Sequence, residues 1–218
     1  IEQLYQRSGE VRPQPRLWPT RRAVELLGDP QQIFGVIHVT GSNGKTSTAR
    51  MIDSLVRAHG LRSGLMTSPH LERLNERIII DGQPVSDEAL VANYLDIEPY
   101  LTMVDAECAA QSEPGLTFFE ALTVLTFACF ADAPVDIAVV EVGMGGEWDA
   151  TNVANADVAV LTPISLEHLE YLGPTLEDIA RTKSGIIKPA SHVVSSPQEP
   201  TVIQILAEAC EHNEAPLS

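Results

Sequence analysis

The stretch HVTGSNGKTSTARMIDSL, His38 to Leu55, decides how the chain folds. Ahead of its glycines runs IFGVIHVT, Ile33 to Thr40, a β-branched segment bounded by turn residues that reads as a buried strand. Behind them Met51, Ile52, Leu55 and Val56 recur at helical spacing, and Gly60 supplies a stop. Between strand and helix stands Gly41-Ser42-Asn43-Gly44-Lys45-Thr46-Ser47. The strict phosphate-loop pattern G-x-x-x-x-G-K-[ST] places its first glycine where this chain has Val39, so the first glycine is shifted toward the lysine. The physics survives that shift. Small residues let the backbone approach an anion, successive N–H groups and the helix N-terminus face it, Lys45 adds a charge, and Thr46 offers a hydroxyl oxygen to a metal ion. A ligand-free strand-to-helix turn is the alternative, and the order of lysine and hydroxyl argues against it.

Working outward, SGLMTS (Ser63 to Ser68) is a second short strand, and RIIIDGQPV (Arg77 to Val85) sets Asp81-Gly82 between apolar arms, a hairpin signal. SDEALVANYLDIEPYL opens with Ser86 as a cap and reads as a helix to Leu101. Thr117 to Ala131 is apolar nearly all round, as in a helix packed on both sides. VDIAVVEVG (Val135 to Gly143) and ADVAVLTPI (Ala156 to Ile164) have the composition of parallel strands covered on both faces. Helices follow at Leu176 to Thr182 and Val202 to His212, with a strand at His192 to Ser195 between them. This alternation predicts an α/β fold: a P-loop-type, doubly wound, mostly parallel sheet flanked by helices, with a small hairpin after the second strand.

Composition narrows the function. The 218 residues are 44% apolar, enough for one substantial core. Thirty acidic residues against fourteen Lys and Arg give a formal charge of −16, which disfavours nucleic acid and anionic membranes as partners. An anionic ligand must therefore meet a local positive site. Cys108, Cys129 and Cys210 are odd in number and widely spaced, which indicates neither a disulfide framework nor a zinc site. No signal segment is recognisable, and the longest apolar block, ALTVLTFACFA, is too short to span a bilayer. A cytoplasmic monomer is expected, since no apolar heptad or long edge strand stands out.

The shortened phosphate loop resembles that of the Mur ligase superfamily of ATP-dependent amide-forming enzymes. Four further stretches follow in that family's order and are similar to its folylpolyglutamate synthase and dihydrofolate synthase branch: TSPHLERLNERIIIDGQPVSDE (Thr67 to Glu88), VVEVGMGGEWDATNV (Val139 to Val153), TPISLEHLEYLG (Thr162 to Gly173) and IARTKSGIIKP (Ile179 to Pro189). The resemblance implies that L-glutamate is joined to dihydropteroate or a reduced folate through an acyl phosphate made with ATP. By the same resemblance, Gly41, Ser42, Asn43, Gly44, Lys45, Thr46 and Ser47 hold ATP, while Ser68, Glu141 and His168 coordinate magnesium. Lys183 matches the family lysine that is carbamylated to bind a second magnesium ion. Lys45, His168 and Lys183 are thus the expected catalytic positions. Phe119, Asp149 and Ala150 match positions that hold the pterin, with the loop Ser68 to Arg77 covering them. The resemblance further implies that residues 1–218 form an incomplete N-terminal ATP-binding domain, and that a C-terminal glutamate-binding domain lies outside this chain. The chain alone is then expected to bind nucleotide weakly without turnover.

Residue by residue, the chemistry is compatible but not unique. Glu141 ends an apolar strand, where a carboxylate sits at the carboxyl edge of the sheet, although a lone glutamate there is usually solvated. A lone histidine such as His168 is more often structural. Lys183 also suits the last turn of a helix stopped by Gly185. Core packing is the default for at least one of Phe118 and Phe119. The chain departs from the family in carrying Glu147 where arginine is usual, Thr182 before Lys183 where glutamate is common, and Glu167 in place of aspartate before His168. Another Mur-type ligase, a non-catalytic nucleotide-binding module and a phosphotransferase remain open readings of these residues.

Overall fold

The computed structural model describes residues 2–7 and 14–218. In chain order the elements are α1 (Glu2–Tyr5), α2 (Trp18–Leu26), β1 (Gly35–Thr40), α3 (Lys45–Ala58), β2 (Ser63–Met66), β3 (Ile78–Ile80), β4 (Gln83–Pro84), α4 (Asp87–Ala110), α5 (Phe118–Asp132), β5 (Ile137–Glu141), β6 (Val158–Leu161), α6 (Leu169–Leu172), α7 (Leu176–Ser184), β7 (His192–Ser195) and α8 (Pro200–His212). The seven strands form one sheet in the order β4-β3-β2-β5-β1-β6-β7. β2, β5, β1, β6 and β7 run parallel, and the β3–β4 hairpin adds antiparallel at one edge.

Strand alternation assigns the faces. Val39 on β1, with Leu65 and Val139, is covered by Ala49 and Val56 of α3. Val36 of β1 points the other way and, with Met66, Ala138 and Val140, packs into a larger core built by α2, α4 and α5. α7 and α8 close a third cluster around Ala159, Leu161 and Val193. Helices on both faces explain why β5 reads as a continuous apolar run. Close packing is visible at Gly64, where a Cβ would come within 2.8 Å of the Phe130 ring.

The expected elements form, with instructive differences. The hairpin turn has Asp81 at φ 50° and Gly82 at φ 78°, the paired left-handed geometry that an Asp-Gly turn supplies. The helix expected from Ser86 to Leu101 continues to Ala110, straight through Pro99. Its buried residues Tyr94, Ile97, Leu101, Val104 and Cys108 keep helical spacing beyond the proline, and that packing outweighs the lost backbone bond. α2, with Pro19 in its first turn, has no counterpart in the sequence reading. Gly185 does follow α7 but with φ −63°, so it is not a left-handed stop. It is glycine because the Glu147 backbone lies where a side chain would go, with the Glu147 Cα 2.6 Å from a built Cβ.

One polar residue sits in the middle of this apolar frame. His38 on β1 is fully buried, with Nε2 2.8 Å from the Thr151 hydroxyl. Burial first, and the charge of Lys188 second, push its pKa from 6.5 down to about 3. The folded state thus keeps His38 neutral where the unfolded chain takes up a proton. Stability is expected to fall as pH drops from about 6.5 toward 3, this residue contributing a slope of up to about 1.4 kcal/mol per pH unit. Chemical denaturation at pH 7, 6, 5 and 4 checks this: His38→Gln should show a shallower decline than the parent chain.

Candidate active site

The site begins where β1 ends. Gly41 has φ 145°, and a Cβ there would overlap the Thr162 hydroxyl and lie 2.9 Å from the Thr162 carbonyl oxygen. Only glycine lets the turn pass that close to the end of β6. The Ser42 and Asn43 amides donate to the Pro163 carbonyl at 2.9 and 3.2 Å, fixing the loop against the next strand. Gly44, at φ 81°, is the N-cap of α3 and brings no capping side chain. The first-turn amides of α3 therefore keep their hydrogens for an external acceptor, the arrangement that binds anions. Lys45 folds back so that its Nζ donates to the Gly41 carbonyl at 2.9 Å, and Lys183 Nζ donates to the same oxygen at 3.0 Å.

Glu141 closes β5 beside this turn. Its Oε1 accepts the Thr46 hydroxyl at 2.8 Å and its Oε2 the Ser68 amide at 3.3 Å. Burial raises its pKa, opposed by those two bonds and by the charges of Lys45 and Arg50. No cationic side chain among the described residues is bonded to it. A buried carboxylate held only by a hydroxyl and an amide, next to two hydroxyl-bearing residues, has the hard-oxygen chemistry a magnesium ion takes. His168, at φ 46° at the start of α6, lines the same cavity of about 530 Å³ together with Ser68, Glu141 and Gly44 to Ser47.

Lys183 is placed differently. It is 1% exposed, lies behind the loop rather than on the cavity wall, and is ion-paired to Glu167 at 2.7 Å. Burial lowers its pKa while Glu167 works to raise it. On Glu167 burial works upward, yet the bond and charge of Lys183, joined by the charge of Lys45 and the Ser42 hydroxyl, hold that carboxylate below its usual range.

Phe119, Asp149 and Ala150 line the same cavity. The two phenylalanines point in different directions. Phe118 turns into the core, stacked on Tyr5 at 5.5 Å and under the Arg77 guanidinium at 5.3 Å, while Phe119 faces the cavity. Asp149 is buried, and its carboxylate accepts from the Met144 amide at 2.9 Å, the Thr151 amide at 3.0 Å and the Thr151 hydroxyl. Burial raises its pKa and these bonds oppose the rise. Glu147 stands outside the cavity: its side chain is exposed and its amide donates to the Thr182 carbonyl at 2.8 Å. Within the loop after β2, Ser68 and Pro69 line the cavity. Asn75 instead donates to the Val85 carbonyl at 2.7 Å, and His70 accepts from Arg77 Nε at 2.7 Å.

Sequence reasoning missed Arg16. Its guanidinium donates to Glu113, Glu120 and the Pro114 and Gly115 carbonyls, bracing the segment that leads into α5 along the cavity wall. The only local signal was the Thr117-x-x-Glu120 capping box that Glu120 completes.

A parallel sheet with an uncapped helix N-terminus, a lysine and a buried carboxylate at the carboxyl ends of its central strands defines a nucleotide-binding α/β domain. Residues 39–211 match the Mur ligase middle domain, and the chain belongs to the Mur ligase family. It is 49% identical over 212 residues to the dihydrofolate synthase/folylpolyglutamate synthase of Mycobacterium tuberculosis, covering 93% of this chain and 44% of that protein. It is 42% identical over 199 residues to the folylpolyglutamate synthase of Lacticaseibacillus casei, covering 88% of this chain and 46% of that protein. A crystal structure of the Mycobacterium tuberculosis folylpolyglutamate synthase complexed with ADP and AMPPCP superposes with a TM-score of 0.92 at 47% identity, over 100% of this chain and 48% of that one. The chain thus spans about half the length of these relatives.

Two substitutions separate loop shape from charge. Lys45→Ala should weaken binding of the ATP analogue AMPPCP at least tenfold, about 1.4 kcal/mol or more, with little change in thermal midpoint. Gly41→Ala should lower both, because a methyl group there forces the turn away from Thr162. Titration calorimetry and thermal melts read the two effects.

Proposed function

We propose that this chain is the nucleotide-binding half of an ATP-dependent ligase that joins L-glutamate to dihydropteroate, to reduced folates, or to both. One observation carries the reading: a single cavity is lined both by Lys45 with the first turn of α3 and by Phe119, Asp149 and Ala150. An aromatic acceptor lying on that wall directs its carboxylate toward the terminal phosphate of ATP. Attack by the carboxylate oxygen on that phosphorus gives an acyl phosphate and ADP; the amine of glutamate then displaces phosphate and leaves an amide.

In that reaction the first-turn amides of α3, Lys45, Thr46 and Ser47 hold the phosphates. Glu141, Ser68 and His168 would hold magnesium, whose contribution is to offset phosphate charge in a protein of net charge −16. A second magnesium ion through carbamylated Lys183 belongs to the same proposal. Burial lowers the proton affinity of that amine, the direction carbamylation needs, and the modification must first break the ion pair with Glu167. The glutamate site is assigned to a domain outside these residues, which accords with relatives about twice as long. Three buried unpaired thiols support a cytoplasmic setting, and no helix among the described residues is long and apolar enough to cross a membrane. A monomer belongs to the same proposal, on the sequence's lack of an apolar heptad.

The test is ADP release by the full-length protein in magnesium buffer with L-glutamate, comparing dihydropteroate, tetrahydrofolate and no acceptor. Release that requires both glutamate and a pterin acceptor is expected, and the acceptor that supports it names the activity. Release only with a different carboxylic acid would reassign the chain to another Mur-type ligase. Saturable ATP binding with no acceptor-dependent ADP would make it a binding module.

A further inference from the structure

A buried polar chain runs from the centre of β1 to Asp149 on the cavity wall. His38 Nε2 lies 2.8 Å from the Thr151 hydroxyl, which donates to Asp149 Oδ1. Asp149 Oδ1 also accepts the Thr151 amide, and Oδ2 accepts the Met144 amide at 2.9 Å. The Gly143 amide bonds the same carboxylate. His38 is fully buried and Thr151 is too; neither lines the cavity, whereas Gly143, Met144 and Asp149 do.

The direction of the chain follows from the one atom left over. His38 Nδ1 has no hydrogen-bond partner among the described residues. If the chain ran outward from a protonated Asp149, the histidine would have to carry its proton on Nδ1 and bury an unpaired donor. Running the other way, Nε2–H donates to Thr151, the Thr151 hydroxyl donates to Asp149, and Nδ1 is a bare lone pair, the less costly orphan. Asp149 then receives both Thr151 donors on Oδ1 and the Met144 amide on Oδ2, and is an acceptor throughout. Its oxygens are spent on the protein: they pin the Gly143–Met144 turn, against which the Phe119 ring closes so tightly that a Cβ on Gly143 would lie 2.6 Å from it.

We propose that His38 and Thr151 are positioning residues that, through Asp149, set the shape of the Gly143–Met144 wall and so determine how the organic acceptor is held, without touching it. The part concerning the acceptor rests on the function proposed above. The part concerning the turn does not.

Two measurements on the 218-residue chain test these parts separately. In hydrogen exchange, Thr151→Val should speed the Gly143 and Met144 amides about tenfold while Val139 and Val140 in β5 keep their rates, and Thr151→Ser should restore the parent rates. In binding, Thr151→Val should raise the dissociation constant for dihydropteroate about tenfold and leave that for AMPPCP within about twofold, again with rescue by serine. His38→Phe, which removes the donor to Thr151, should act in the same direction, and His38→Gln, which keeps one, should act less. Unchanged turn amides in Thr151→Val overturn the proposal, as does acceleration spread equally through β5, which is ordinary loss of core stability. Failure of both Thr151→Val and His38→Phe to fold overturns it in favour of a purely structural role. A parent chain that binds AMPPCP but not dihydropteroate defeats the acceptor reading, and the turn amides still decide the positioning claim.

Discussion

The site depends on one close approach: the backbone of Gly41 laid against Thr162 at the carboxyl ends of β1 and β6. That contact turns the chain sharply enough for α3 to start with its amides facing the cavity, and it leaves the Gly41 carbonyl as a common acceptor for Lys45 and Lys183. Thr40, one residue earlier, donates its hydroxyl to the Gly145 carbonyl at 2.7 Å, so the end of β1 also anchors the turn that follows β5. The turn into α3 and the turn after β5 are therefore organised from the same two residues, Thr40 and Gly41. A rigid parallel sheet is what makes this possible, because neighbouring strand ends are held about 5 Å apart by their ladder.

The second constraint is charge. A chain with net charge −16 repels anions at a distance, so a phosphate has to be met by groups that act at short range. Backbone amides at the start of α3 and the Lys45 ammonium are such groups. Glu141, beside them, is an apparent contradiction that its surroundings resolve. Its hydrogen-bond partners are a hydroxyl and an amide rather than a cation, which leaves a negative site suited to a divalent cation next to a positive site suited to phosphate. A metal–nucleotide pair presents both charges at once.

The residues that depart from the family pattern acquire physical meaning in the structure. Glu147 lies on the outer side of its turn, so reversing the charge there adds no carboxylate to the cavity wall. Thr182 uses its hydroxyl on the Asp178 carbonyl and packs its methyl near Gly145, a role that needs no charge. Glu167 is the consequential one. It reaches the buried Lys183 and gives that ammonium the partner without which its burial would be costly.

What the amino-acid sequence determined by itself is local. The apolar run, glycine turn and helical spacing around Gly41 to Thr46, the Asp81-Gly82 hairpin, the Ser86 cap and the valine-rich strands all follow from short-range sterics and hydrogen bonding, and all are found where they were expected. Tertiary structure alone decided the order of the strands, the helix that runs through Pro99, the Arg16 brace and the inward turn of Phe118 beside an outward Phe119. It alone also decided the pairs that shape the site: Lys183 with Gly41, Thr46 with Glu141, and His38 with Thr151. Each joins residues about a hundred or more apart in sequence. Such contacts leave no periodicity to read, because a buried polar group gains its partner from whichever distant segment the packed sheet brings within hydrogen-bond reach.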